Sequence, residues 1–152
     1  MSIEQCKRKL KEAGSRVTKS RLAVWQILAN QKGSASPAEI FELISADRSV
    51  GSIDQVTVYR ILDTFLEIGL VHKVGPTGKF ILCEHVDCQR GMHVLARCHS
   101  CSQIEEWDAP EPITAPMMWY LKEKMNFLPK GHLVEVDGIC GKCQNGSYPN
   151  CN

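Results

Sequence analysis

Residues 53–83 read IDQVTVYRILDTFLEIGLVHKVGPTGKFILC, and this stretch decides the fold. From residue 55 onward the apolar residues recur at helical spacing and form one broad face of the kind that a core covers. That face comprises Val58, Ile61, Leu62, Phe65, Leu66 and Ile68, whereas the opposite face carries Gln55, Val56, Tyr59, Arg60 and Asp63. The helix ends at Gly69, and two β-type runs then flank GPTG at 75–78, which is a turn signal. A helix followed by a hairpin predicts a winged helix-turn-helix, whose recognition helix places its N-terminal residues at base edges in the major groove.

Two helices are predicted near the N-terminus. Residues 3–13 form the first, and Gly14 ends it because glycine readily adopts the left-handed conformation that closes a helix. Thr18 is the expected N-cap of the second helix, which runs through RLAVWQILAN at 21–30. The apolar residues of that segment have helical spacing, so it should pack on the same core.

The third and fourth helices carry sharper start signals. SPAE places Ser36 at the N-cap, Pro37 at the first helical position and Glu39 at the third, which is a capping box. SIDQ repeats the arrangement with Ser52 and Gln55, so it predicts the start of the fourth helix.

The pattern changes after residue 84. Three segments have the character of strands, namely MHVLARC at 92–98, SQIEEW at 102–107 and HLVEVDGIC at 132–140. Residues 113–126 suggest a helix that Pro116 interrupts early. The chain is therefore predicted to be an α+β protein, with a winged helix-turn-helix domain at 1–84 and a small α/β domain at 85–152.

The composition limits the class of protein. With 152 residues and 43% hydrophobic content, the chain can bury a core in one domain or in two small ones. No apolar run approaches the roughly 18 residues of a membrane span, and the N-terminal MSIEQCKRKLKEAG has no signal-peptide character. We expect a cytoplasmic protein with no membrane partner, whose eight cysteines bind metal or perform redox chemistry rather than form disulfides.

The charge is divided unevenly along the chain. Residues 1–74 contain 11 Lys and Arg against 8 Asp and Glu, whereas residues 75–152 contain 7 against 9. A basic half followed by an acidic, cysteine-rich half indicates a division of tasks. The excess of three positive charges in the first half is too modest to predict nucleic-acid binding by itself.

The clearest chemical signal is a pair of C-x2-C motifs, Cys98 with Cys101 and Cys140 with Cys143. Four thiolates at such knuckles are typical of a closed, tetrahedral structural Zn²⁺ site. The 38 residues between the motifs exceed the usual spacing of a zinc ribbon, although a strand and a helix fit in the interval. A pair of redox-active or unligated dithiols is the alternative, and the presence of a second motif favours zinc.

A second group of possible ligands surrounds the boundary between the two halves. It comprises His72, Cys83, His85, Cys88, His93, Glu105, Glu106 and His132. A mixed set of nitrogen, sulfur and oxygen donors from both halves would suit a metal sensor, since metal occupancy would set the angle between two bodies. Simpler interpretations compete: either glutamate alone would be a strand-face charge, Cys6 a partly buried helix residue and His99 a solvated residue of the knuckle.

Three of these stretches together resemble one family. The start of the second helix, RVTKSRLAVWQIL, resembles an R-x-T-x-x-R motif of that family. The stretch QVTVYRILDTFLEIGLVHKV resembles the family's T-V-Y-R recognition helix and wing. The knuckles of the family are resembled by HVLARCHSC and GICGKC. The chain thus resembles, over roughly residues 8–143, the ferric uptake regulator family of dimeric, metal-dependent transcription factors. It is most similar to the zinc uptake regulator branch, because FILC carries cysteine where the iron sensors usually carry glutamate. The softer thiolate independently favours zinc over iron.

The resemblance implies two zinc ions per subunit. One is the structural ion of the four knuckle cysteines. The other is a regulatory ion, and its implied ligands are His72, Cys83, His93 and Glu106.

The chain departs from the family just before the first knuckle. There GMHV replaces a histidine-rich run, and Met92 and Val94 occupy the places of ligands to a third metal site. His132 matches another ligand of that site and is therefore expected not to bind metal. The partial match also leaves His85 or Cys88 as possible substitutes for the remaining histidine of the run.

The resemblance also implies the residues that contact DNA. Arg60 would read a base, since its fork suits guanine, and Tyr59 would pack on a sugar or a thymine methyl group. Lys19, Arg21 and Thr57 would hold phosphates and set the register on the duplex.

The expected function is that of a zinc-responsive, sequence-specific repressor of metal uptake genes, which binds double-stranded operator DNA as a homodimer and is not an enzyme. An iron- or peroxide-responsive regulator of the same family is the nearest alternative. A redox protein that uses the C-x2-C pairs and a DNA-binding module with structural zinc alone are the others. No H-E-x-x-H sequence supports a zinc hydrolase.

Overall fold

The computed structural model describes residues 1–31, 33–47, 51, 53–75, 77–84, 91–129 and 133–146. The chain forms two compact units, residues 1–88 and residues 89–152. Ser52, His85, Cys88 and His132, which the sequence put forward as a helix cap and as possible ligands, lie outside the described residues.

The first unit consists of four helices followed by a two-stranded hairpin. These elements are α1 (Ile3–Glu12), α2 (Lys19–Asn30), α3 (Pro37–Ala46), α4 (Gln55–Glu67), β1 (Val71–Val74) and β2 (Lys79–Leu82). The two strands are antiparallel, with Val71 opposite Leu82. Ala35 exchanges both backbone hydrogen bonds with Phe80, at 2.9 and 2.8 Å, and thereby attaches the segment before α3 to the hairpin. The order of elements confirms the predicted winged helix-turn-helix.

The helix starts coincide with capping side chains. Thr18 caps α2, and Ser36 and Glu39 form the predicted reciprocal capping box at α3. The predicted start of the fourth helix is wrong: Asp54 caps α4, and its carboxylate accepts a hydrogen bond from the Thr57 amide at 2.6 Å. A carboxylate at the N-cap satisfies an unpaired amide and also interacts favourably with the helix dipole. These two effects explain why α4 begins directly after Asp54.

A glycine ends α4 and directs the chain into the hairpin. Gly69 has a φ of 65°, a left-handed conformation that glycine adopts without strain. The Leu70 amide donates to the Phe65 carbonyl at 2.8 Å, and the Gly69 amide donates to the Leu66 carbonyl at 3.1 Å. This is a Schellman motif, and Lys9 of α1 adds a hydrogen bond from Nζ to the Gly69 carbonyl at 3.0 Å. The helix end is therefore fixed by backbone and side-chain donors, and β1 starts two residues later.

The two faces of α4 separate as predicted. Val58, Ile61, Leu62 and Phe65 are buried, and Leu66 and Ile68 are partly buried against the same core. This core also takes in buried side chains of α1, α2, α3 and β1, among them Leu10, Val24, Ile40 and Val71. On the opposite face Tyr59 and Arg60 are exposed, and Val56 is 58% exposed. An apolar side chain this exposed lies outside the core of its unit, so this face is open to a partner.

The second unit is a three-stranded sheet with one long helix and one short one. Its elements are β3 (Met92–Cys98), β4 (Ile104–Ala109), α5 (Glu111–Glu123), β5 (Leu133–Gly138) and α6 (Gly141–Gln144). The strand order is β4-β3-β5, with β3 antiparallel to β4 and parallel to β5. The central position of β3 means that residues on it have partners on both sides.

The long helix differs from its prediction. It runs without a break from Glu111 to Glu123, and Pro116 lies in its second turn. A proline there removes one backbone hydrogen bond without ending the helix. No residue of α5 is buried in its own unit. In the part of the chain that the structure describes, no helix is long and apolar enough to cross a membrane.

Phe65→Ala tests the core assignment, because Phe65 is fully buried. We expect the free energy of unfolding of the first unit to fall by about 3–5 kcal/mol, through lost transfer energy and the cavity left behind. Urea unfolding can be followed by the fluorescence of Trp25, the one tryptophan of residues 1–88, once Trp107 and Trp119 are changed to Phe. Val56→Ala on the exposed face of the same helix is the control and should change stability by about 0.5 kcal/mol or less. Equal losses in the two variants would contradict the assignment of faces.

Candidate metal centre

The two C-x2-C motifs meet at one end of the sheet in the second unit. Cys98 is the last residue of β3, and its register partner on the parallel strand β5 is Gly138. Cys140 follows two residues later, and Cys143 is buried in the short helix α6. The parallel pairing of β3 and β5 thus brings together knuckles that 38 residues separate in the sequence.

An ion pair holds this strand register beside the cysteines. Arg97 and Asp137 are register partners on β3 and β5, and Nε and Nη2 of the arginine donate to Oδ1 and Oδ2 of the aspartate at 2.6 and 2.9 Å. A bidentate pair of this kind fixes orientation as well as distance. It therefore resists slippage of the strand ends that carry the knuckles.

The four sulfur atoms have the spacing of a metal site. All four lie within 4.8 Å of one another, and Cys101 Sγ is 3.9 Å from Cys140 Sγ. Tetrahedral zinc with Zn–S bonds of about 2.3 Å would place its sulfurs about 3.8 Å apart. A disulfide needs a sulfur–sulfur distance of about 2.05 Å, so the geometry fits metal ligation rather than oxidation. The cluster confirms that the four cysteines predicted from the sequence form a site that fits a structural zinc ion.

Backbone amides at this cluster favour the thiolate that zinc requires. The Cys140 amide donates to Cys98 Sγ at 3.3 Å. This hydrogen bond, followed by one from the Cys101 amide, lowers the pKa of Cys98 to about 6. A thiolate that is stabilised before the metal arrives loses its proton at little cost on binding.

Three other residues with side chains that could bind metal lie outside this cluster. Cys6, expected to be partly buried, is completely buried in the core of the first unit, and burial raises the pKa of its thiol to about 11. His99 is exposed in the knuckle, and Glu105 is exposed on β4. None of the three belongs to the four-sulfur cluster.

His72 and Cys83 form a donor pair in the first unit. His72 lies opposite Ile81 in the hairpin, and Cys83, two residues beyond Ile81, donates its amide to the Leu70 carbonyl at 2.9 Å. Because side chains alternate along a strand, His72 and Cys83 lie on the same face. Both are buried, and a ring nitrogen of His72 lies within 4.8 Å of Cys83 Sγ. A buried imidazole beside a buried thiol is a suitable donor pair for zinc.

His93, Glu106 and Asp108 form a second donor group, in the second unit. His93 on β3 lies directly opposite Asp108 on β4, and Glu106 is two residues before Asp108 on the same strand face. His93 Nδ1 is 3.1 Å from Asp108 Oδ1 and 3.5 Å from Glu106 Oε1. The side chain of Glu106 is only 2% exposed, whereas that of Asp108 is 66% exposed. The family resemblance implied His93 and Glu106 as ligands. Asp108 was not singled out from the sequence, although the period-two alternation of a strand places it on the same face as Glu106.

The residues predicted to contact DNA lie in the first two turns of two helices. On α4 these residues are Thr57, Tyr59 and Arg60, of which the last two are exposed. Lys19 is exposed at the first residue of α2. Arg21 is partly buried, and its Nη1 donates to the Arg16 carbonyl at 2.6 Å. That donor of Arg21 therefore closes the turn before α2.

Cys140→Ser tests the four-sulfur site. Zinc binding at such a site contributes on the order of 10 kcal/mol or more to folding, so we expect loss of the structural zinc and of the fold of residues 89–152. Metal analysis and amide hydrogen exchange of the second unit measure the two losses. Cys6→Ala is the control, because it removes a buried cysteine of the first unit and should keep the full zinc content. A Cys140→Ser protein that stays folded with all its zinc would contradict the assignment.

Comparison with known proteins places this fold and these sites in one family. The model of the ferric uptake regulator family matches residues 12–136. The zinc uptake regulation protein of Escherichia coli (strain K12) is 30% identical over 128 residues, which cover 84% of this chain and 72% of that protein. The ferric uptake regulation protein of Legionella pneumophila is 29% identical over 137 residues, which cover 89% of this chain and 96% of that protein.

A solved structure agrees with these sequence matches. A zinc uptake regulator complexed with zinc and DNA has a TM-score of 0.80 and 28% identity, over 95% of this chain and 93% of that chain. This likeness extends through both the winged helix-turn-helix and the sheet with its knuckles. The chain therefore belongs to the ferric uptake regulator family, and it is a metal-responsive, DNA-binding transcription regulator rather than an enzyme.

Proposed function

We propose that the chain is a zinc-responsive repressor of metal uptake genes. The observation that carries the choice of metal is the buried pair of His72 and Cys83 in the hairpin. A thiolate is a soft ligand, which suits zinc better than the harder ions that carboxylate-rich sites bind. The four-sulfur site is closed by its own ligands, so the response to metal has to come from another site.

The proposed regulatory ion has two ligands from each unit. His72 and Cys83 come from the first unit, and His93 and Glu106 come from the second. Two imidazoles, one thiolate and one carboxylate complete a tetrahedral zinc site. The side chain of Glu106 is only 2% exposed, so a metal ion that it binds would be shielded from water. An ion held in this way would join the two units, and its occupancy would favour one arrangement of them.

We further propose that the second units of two subunits pair in a homodimer. No residue of α5 is buried, and the helix and the segment after it carry large apolar side chains that are each more than half exposed. These are Ile113, Trp119, Tyr120, Met125, Phe127 and Leu128. A monomer rarely leaves so much apolar surface in water, whereas an obligate homodimer interface is largely apolar.

The exposed face of α4 is proposed to read the operator. Arg60 would make a bidentate contact with guanine, and Tyr59 would pack on a sugar or a thymine methyl group. Lys19, Arg21 and Thr57 would contact phosphates and set the register. A homodimer presents two such helices, which suit half-sites about one turn of DNA apart.

Zinc and DNA would then be coupled through the arrangement of the two units. A coupling free energy of about 1–3 kcal/mol gives a 5- to 150-fold change in operator affinity. Because such coupling is reciprocal, operator DNA should tighten binding of the regulatory zinc by the same factor.

Cys83→Ser tests the regulatory site. We expect the zinc content to fall from two ions per subunit to one and the zinc dependence of operator binding to disappear, because the variant lacks the thiolate ligand. Metal analysis and DNA binding across a series of buffered zinc concentrations measure both effects. Cys6→Ala, which removes a buried cysteine of the first unit, should behave as the wild type.

The same measurements separate this proposal from its alternatives. Operator binding that does not depend on zinc in the wild type, with one zinc ion per subunit, would favour a DNA-binding module with structural zinc alone. Activation of the wild type by Fe²⁺ or Mn²⁺, but not by Zn²⁺, would favour an iron- or peroxide-responsive regulator.

Two variants distinguish base reading from phosphate contact. Arg60→Ala should lose about 1–3 kcal/mol of discrimination against altered operators while it keeps zinc and the dimer. Lys19→Ala should weaken binding to all sequences alike and reduce the dependence of affinity on salt. Binding to matched and mutated operators at several salt concentrations measures both, and unchanged operator affinity in Arg60→Ala would contradict its assignment.

A further inference from the structure

We propose that Val56 is a specificity-determining residue of the DNA interface: its side chain contacts the C5-methyl group of one thymine in each half-site. The inference rests on the proposed function, because it takes the exposed face of α4 as the surface that reads the operator. It adds an apolar contact to the polar contact proposed for Arg60.

Val56 occupies the part of α4 that a recognition helix brings to the bases. It is the second residue of the helix, which begins at Gln55, and its side chain is 58% exposed. Recognition helices present their N-terminal residues to base edges in the major groove. Residues three and four apart are neighbours on a helix surface, so Val56 lies beside Tyr59 and Arg60 on the exposed face.

The exposure of Val56 is uncommon within its own unit. Among the described residues of the first unit, the large apolar side chains that are exposed are Leu43, Val56 and Tyr59. Two of these three are neighbours on the face of α4 that carries Arg60, whereas Val58 and the later aliphatic residues of the helix are buried or partly buried. Val56 and Tyr59 thus form a small apolar surface next to the arginine that is proposed to read a base. Such a surface gains stabilisation when a partner covers it.

The chemistry of valine selects one base. An aliphatic side chain neither donates nor accepts a hydrogen bond, so against a polar base edge it would displace water without replacing its hydrogen bonds. Thymine is the base of B-DNA that presents a methyl group in the major groove. Contact between this methyl group and the valine removes apolar surface of both from water. The thymine methyl group is therefore the partner that the side chain of Val56 fits best.

The local backbone holds Val56 in place before DNA binds. The Asp54 carboxylate accepts a hydrogen bond from the Thr57 amide at 2.6 Å, and this cap fixes the first turn of the helix, in which Val56 lies. A valine in a helix also has one strongly preferred rotamer. The contact with DNA would therefore cost little conformational entropy.

Val56 and Tyr59 would meet different positions of the groove. Three residues of an α-helix span about 4.5 Å along its axis. Successive bases of one DNA strand are roughly 3.4 Å apart. Each of the two side chains would therefore have its own contact along the duplex, and the two contacts can be tested separately.

Replacement of thymidine by deoxyuridine tests the contact, because it removes the methyl group and keeps every hydrogen-bonding atom of the base pair. The probe is a duplex that the zinc-loaded wild type selects from a randomised DNA library, with each thymine replaced in turn. At one thymine of each half-site we expect the replacement to weaken binding of the wild type about fourfold, which is the loss for one buried methyl group. The same replacement should have no effect on binding of Val56→Ala. Val56→Thr, which keeps the branched shape and one methyl group, should show a reduced loss.

Control variants isolate the role of Val56. Leu43→Ala removes an exposed apolar side chain of α3, and it should keep the wild-type response to deoxyuridine at every thymine. Tyr59→Ala should keep the response at the thymine assigned to Val56. The free energy of unfolding of Val56→Ala in urea should stay close to that of the wild type, which excludes a general loss of structure.

The results that would overturn the proposal are distinct from those that would overturn the proposed function. If no thymine of the selected duplex responds to deoxyuridine, or if Val56→Ala responds as the wild type does, Val56 does not read a methyl group. That conclusion leaves the role of α4 intact when Arg60→Ala still loses discrimination. If Arg60→Ala and Val56→Ala both bind the selected duplex as tightly as the wild type, the exposed face of α4 does not read the operator and the proposed function fails in that part.

Discussion

The second unit depends on four sulfur atoms more than on an apolar core. Among its described residues the buried aliphatic side chains are Leu95 and Ile104, and two of the knuckle cysteines are buried with them. A unit of this size with so small a core needs a disulfide, a structural metal ion or a partner subunit to fold stably. A structural zinc ion at such a site contributes about 10–16 kcal/mol, which is comparable to the whole stability of a typical domain. A zinc ion that holds the knuckles together would therefore be part of the fold.

The central strand β3 carries residues of both the four-sulfur site and the proposed regulatory site. Its end carries Cys98 of the structural site, and the preceding Arg97 fixes the register with β5 through Asp137. The same strand carries His93 opposite Asp108 on the other neighbour, β4. One strand with partners on both sides thus sets the positions of two kinds of site, and the proposed regulatory ligands of this unit lie on a sheet that the structural zinc stabilises.

In the first unit the path from the donor pair to the recognition helix is short. His72 lies three residues beyond Gly69, where α4 ends in a Schellman motif. The hydrogen bond from Lys9 to the Gly69 carbonyl adds a tie to α1. Several hydrogen bonds hold the end of this helix. A metal ion that fixes the position of His72 would therefore also restrict the position of α4. This stiffness suits the proposed homodimer, in which two recognition helices would have to match fixed half-sites.

Local chemistry allowed much of this protein to be predicted from its sequence. Residues a few positions apart encode the apolar face of α4, the caps Thr18 and Ser36, the hairpin and each of the two C-x2-C pairs. Local signals misplaced the start of α4, because two polar residues compete for the cap, and they predicted a break in α5 that one proline does not cause. The regulatory ligands and the DNA contacts were suggested by resemblance to a family, and they remain proposals.

Non-local pairing decided the rest. The meeting of two knuckles across 38 residues and the contact of His93 with Asp108 both depend on strand register. The sequence by itself determined which residues form helices, turns and knuckles, because capping, periodicity and C-x2-C spacing act over a few residues. Only the tertiary structure decided which donors face one another, because register is set by the packing of whole strands and not by the residues next to each donor.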